Sequence, residues 1–125
     1  MMSISFRDYL VAEERNRVSE IARKAVEYQR AIRHPSSPYF IEQPEVRELV
    51  LYVLEEIEHF VMEKLVNTPD PDEALMELRN FRQRSSKSLK ELENEFGPVL
   101  SGHQKFDDID KMLEDLFTQA ERTIL

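Results

Sequence analysis

The residues with the types and spacing for chemistry are Glu55-Glu56-Ile57-Glu58-His59. Glu56 and His59 stand three apart, Glu55 and His59 four apart, so on a helix each pair shares a face. A carboxylate and an imidazole on one helix face make part of a site for a divalent ion. Glu14, at a stripe-like position on the first expected helix, is the candidate for a further carboxylate. The competing reading is plainer. Glu55, Glu56 and Glu58 then form a solvated charge run, with His59 at the margin of the core.

Two known patterns are similar in part. Helical-bundle di-iron proteins use Glu-x-x-His from each of two helices and one Glu from each of the other two. Here Glu56-x-x-His59 supplies one such half, but neither His34 nor His103 has a glutamate three residues before it. The all-helical nucleotide pyrophosphohydrolases hold magnesium with EExxE on one helix and ExxD on the next. This chain resembles them in Glu55-Glu56, but His59 stands where an acid is needed, and Asp107 and Asp110 lie on the last helix. Magnesium prefers oxygen ligands, so the histidine counts against that match. Either resemblance covers only a few turns and implies a divalent-metal-dependent enzyme with Glu56 and His59 as ligands. Both lack parts, so no cofactor is expected and an enzyme is the alternative rather than the first reading.

Other chemistries have less to stand on. The chain has no cysteine, which removes disulfides, thiolate nucleophiles and thiolate metal sites. Its serines fall in caps, links and the third helix, with no histidine and acid at a fixed turn. Gly97 and Gly102 are the only glycines, too few for a phosphate-cradling loop. The formal charge is -8, which repels a phosphate backbone on average. Nucleic acid is therefore disfavoured, with local patches at Arg23, Arg30 and Arg33 and along the third helix its only footing. A basic partner or basic surface suits the charge better, and solubility alone is the bland explanation. No secretory leader and no membrane span are expected, and the default compartment is the cytoplasm.

The elements that position these residues are four helices. Pro44 to Val66 reads PEVRELVLYVLEEIEHFVMEKLV, with apolar residues in steps of three and four from Val46 to Leu65. Leu51, Tyr52 and Met62 extend that face, so this is the expected central helix. A long first helix is expected from about Phe6 to Arg33, on a stripe through Val18, Ile21, Ala25, Tyr28 and Ile32. No Gly or Pro interrupts it near Glu14–Asn16, so it should run through. Pro35 ends it. Pro44 suits the first turn of helix two. Asp70-Pro71 and Glu73 form a capping signal for helix three. Its stripe (Leu75, Leu78, Phe81 or Arg82, Ser85, Leu89, Leu92, Phe96) is thin in the middle. Phe96-Gly97-Pro98 is a stop. Helix four should start between His103 and Asp107, on Phe106, Ile109, Leu113, Leu116 and Ala120. The expected fold is all-α, a four-helix up-down bundle with a long first helix, as one domain over residues 1–125.

The connector HPSSPYFIEQP places Tyr39, Phe40 and Ile41 side by side. They serve as a lid on the core or as a partner surface. With the enzyme patterns incomplete, the expected role is a protein-protein interaction or scaffolding module. It would bind a protein partner or itself, with a homodimer as the expected assembly and Tyr39, Phe40 and Ile41 as the candidate contact.

Overall fold

The computed structural model describes residues 12–64, 70–96 and 106–124. Four α-helices run through them: α1 (Ala12–Arg33), α2 (Pro44–His59), α3 (Pro71–Phe96) and α4 (Phe106–Ile124). A π-helical turn, Phe60–Lys64, continues α2. The fold is an all-α four-helix bundle with a long first helix.

α1 passes through Glu14–Asn16 without a break, as a stretch free of Gly and Pro should. The expected start near Phe6, the linker 65–69 and the Gly97-Pro98 stop lie outside the described residues. α2 begins at Pro44, whose missing amide needs no partner there, and the Gln43 side chain accepts from Val46 N at 3.0 Å. Asp70 Oδ1 accepts from Asp72 N at 3.0 Å, capping α3 as its sequence signal implies.

α1 packs on α2 and α4, and α3 packs on the same two, so the helices close a ring. Arg33 of α1 reaches Glu55, while Val26, nearer the start of α1, shares a groove with Met62, later on the α2 side. Neighbours α1 and α2 therefore run antiparallel. Tyr28 faces Asp108 to Asp115, and Ile21 faces Gln119 to Thr123, so α1 and α4 do too.

α2 is the centre of this ring. It also touches α4 across the middle, and Val46, Val50, Leu51, Val53, Leu54 and Ile57 are all buried. Phe60 and Val61 add to the same core from the π turn. A regular helix was expected through Val66, but the chain widens after His59. The Phe60 amide is shared between the Glu56 and Ile57 carbonyls, and the turn that follows buries adjacent Phe60 and Val61 while leaving Met62 half exposed.

A row of rings ties the helices laterally. Tyr52 of α2 meets Phe81 of α3 at 6.1 Å, and Phe81 meets Phe117 of α4 at 5.9 Å, both inclined as ring quadrupoles prefer. Among the described residues no helix is long and apolar enough to cross a membrane.

Candidate functional site

The acidic stretch of α2 is divided among three surroundings. Glu55 Oε1 accepts from Arg33 Nη2 at 3.1 Å and is spent on joining α2 to α1. Glu58 borders the α1–α2 groove beside Arg30. Glu56 and His59 do share a face, on a groove of about 140 Å³ between α2 and α3, with Tyr52, Glu77, Phe81 and Arg84. His59 is half exposed, and its Nδ1 lies 3.4 Å from Glu63 Oε2.

Among the described residues, no group of three His, Asp or Glu side chains is placed to hold a metal ion. Glu56 and His59 therefore lack a further ligand in what the structure describes. The Glu14 side chain lies outside the described ones, but its backbone is placed. In the α1–α2 pairing His59 stands level with about Gln29, and Glu14 is fifteen residues away along α1, about 20 Å at helical rise. His59 also faces α3, away from α1.

The connector carries the other candidate surface. The Ile41 amide donates to the Ile32 carbonyl at 3.4 Å, and Arg47 Nη1 donates to the Ile41 carbonyl at 3.2 Å. Pinned from both sides, Ile41 is 1% exposed and belongs to the core. Phe40 is half-buried, with the Arg47 guanidinium 5.8 Å from its ring centre. Tyr39 stands out at 48% exposed. Within the triplet Ile41 closes the core, while Tyr39 is left exposed.

That surface has a shape. Tyr39 meets Tyr28 of α1 edge-on at 6.3 Å, and the two line an open groove of about 500 Å³ with Pro38, Asp108, Lys111, Met112 and Asp115. Burial, aided by the charge of Asp115, raises the Tyr28 phenol above its ordinary value, so the hydroxyl stays neutral. Asp115 Oδ2 accepts from Gln119 Nε2 at 2.9 Å on the solvent side. In the sequence Tyr28 and Met112 read as parts of the apolar stripes of α1 and α4, and neither they nor Asp115 signal a groove. The usable signal was the Pro38-Tyr39 step beside an acid-rich first half of α4.

Fold and surface together define an acidic four-helix bundle with open grooves between its helices. No family model matches the chain, and no curated protein or solved structure matches it either.

Proposed function

We propose that the chain is a protein-interaction module, a subunit that binds a protein partner or a second copy through the shoulder formed by Tyr39 and Phe40. The observation that carries this is the half-exposed Tyr39 ring, held against Tyr28 at the mouth of a groove by a connector anchored in the core. A rigid aromatic on an anchored loop gives contact area at little entropic cost. The expected setting of the module is the cytoplasm.

Native mass spectrometry of the full chain, purified without chelator and read over a range of concentrations, tests the reading. A metal-free dimer or larger assembly that loosens in Tyr39→Ala supports it. A monomer with one tightly held divalent ion, lost in His59→Ala, overturns it in favour of an enzyme.

A further inference from the structure

We infer that the Tyr28–Tyr39 groove is a seat for an arginine side chain on a basic segment of a partner protein. This rests on the interaction-module reading and names the chemistry of its occupant.

Phe40, Phe81 and Phe117 each carry an arginine of this chain, from Arg47, Arg84 and Arg82, with the guanidinium carbon 5.8–6.0 Å from the ring centre. Tyr39 is more exposed than any of these, and among the described residues no cation lies over it. Among the described residues its ring neighbour is Tyr28. An aromatic face attracts a guanidinium through its quadrupole, and most strongly where water is partly excluded, as beside half-buried Tyr28.

Charge agrees with this. Of the charged side chains of α4 that line the groove, two are acidic, Asp108 and Asp115, against the single Lys111. Asp115 lines the groove and accepts from Gln119 through Oδ2; among the described residues no other donor reaches it, which leaves Oδ1 for one arriving from the groove. Guanidinium has the planar shape to lie on a ring while its edge donates to a carboxylate, which a lysine ammonium lacks. Met112 supplies an apolar rim for the methylenes of the arriving side chain.

The test uses the full chain and a short blocked glycine–arginine peptide, followed by amide chemical shifts at physiological salt. A citrulline peptide of the same shape but no charge is the control. Expected are saturable shifts centred on Tyr28, Tyr39 and Met112 with the arginine peptide only. Tyr39→Ala and Asp115→Asn should each weaken binding about tenfold. Glu93→Gln, which removes one exposed charge from α3, should leave it unchanged. Equal weakening by Glu93→Gln and Asp115→Asn means the peptide follows overall charge and overturns the inference. So does citrulline binding as well as arginine, or no binding at millimolar peptide. If the arginine peptide fails while Tyr39→Ala still dissociates a native assembly, the occupant is a second copy. The interaction module then stands and the arginine seat falls. If the peptide fails and the chain is monomeric throughout, both fall.

Discussion

Arg82 of α3 and Glu121 of α4 meet at 3.0 Å, Nη1 to Oε1, with their side chains only 27% and 17% exposed. The same guanidinium donates through Nε to Glu114 Oε1 at 3.2 Å and again through Nη2 to Glu114 Oε2. Between the two carboxylates it lies over the Phe117 ring. Glu114, Phe117 and Glu121 fall at i, i+3 and i+7, one face of α4. Arg82 spans that face because its planar fork offers donors along two edges. The hydrogen bond to Glu114 raises the guanidinium above its already high ordinary pKa, against the opposing effect of burial. It remains charged at any pH where the bundle is folded.

Arg82→Ala should therefore lower unfolding free energy by about 1–2 kcal/mol, allowing for the solvent that reaches Glu114. Arg82→Lys should recover less than half of the loss, since an ammonium cannot fork between two carboxylates. Urea denaturation at low salt measures both. A loss below about 0.3 kcal/mol for Arg82→Ala means the network is screened and the account is wrong.

The connector should show graded costs. Ile41→Ala empties a fully buried site and should destabilise by about 2–4 kcal/mol. Tyr39→Ala should stay within about 0.5 kcal/mol, because its ring is a surface feature. Phe40→Ala should fall between them, losing its half-buried area and its Arg47 contact. Thermal melts of the three variants check the order. A Tyr39→Ala loss as large as that of Ile41→Ala makes Tyr39 part of the core and removes the surface proposed here.

Placing α2 at the centre predicts that Val53→Asp or Ile57→Asp abolishes folding. Both side chains are essentially unexposed, and an unpaired carboxylate there has no partner. Circular dichroism of the purified variants decides this. A cooperative melt near the parent temperature shows that α2 can yield its core position to water.

How much of this was readable depends on how local the cause is. The α4 stripe was legible because Phe106, Ile109, Leu113, Leu116 and Ala120 repeat at helical spacing, and each is buried. The Asp70 cap was legible because its partners lie two and three residues on. Gln43 was not, since glutamine is an uncommon cap and its role follows from where the connector returns. The π turn at Phe60–Lys64 leaves the apolar spacing compatible with a regular helix, so periodicity misses it. Tyr39, Phe40 and Ile41 look alike in sequence. Only the long-range bond from Ile41 to Ile32 decides which one turns inward. How Glu14 and His59 stand to one another is equally hidden from spacing, because it is set by how two helices are offset.

Tyr28 should lose its proton above the ordinary phenol range. Burial is the main cause, followed by Asp115, Tyr39 and Glu27. The folded state thus holds this proton more tightly than the unfolded chain. Its contribution is complete below about pH 10 and is lost as pH rises through the folded value. Tyr28→Phe should flatten that alkaline decline in stability, and Asp115→Asn should bring the phenol partway back toward its ordinary value. Phenolate absorbance and denaturation midpoints through the alkaline range measure the two effects. An alkaline decline unchanged in Tyr28→Phe assigns it to other groups.

Gln29 is 7% exposed on the inner face of α1, and its Nε2 is buried without a hydrogen-bond partner among the described residues. The neighbours of that face in sequence are Ala25 and Ile32, both buried and apolar, so the amide sits in a stripe that calls for a hydrocarbon. An unpaired buried donor costs about 1–3 kcal/mol in lost hydration. Gln29→Met keeps nearly the same length and flexibility while removing the donor. It should raise stability by about 1 kcal/mol, and Gln29→Leu by somewhat less because its branch alters the shape. Gln29→Glu should be strongly destabilising near neutral pH, since it places a charge at the same point. Urea midpoints of the three variants give the comparison. A loss of stability of 1 kcal/mol or more in Gln29→Met would mean that the amide is hydrogen-bonded in solution, through an enclosed water or a side chain of a partner, and native mass spectrometry of the variant separates those two. A gain shows that the polar group is a tolerated defect of a core whose other positions along α1 are apolar.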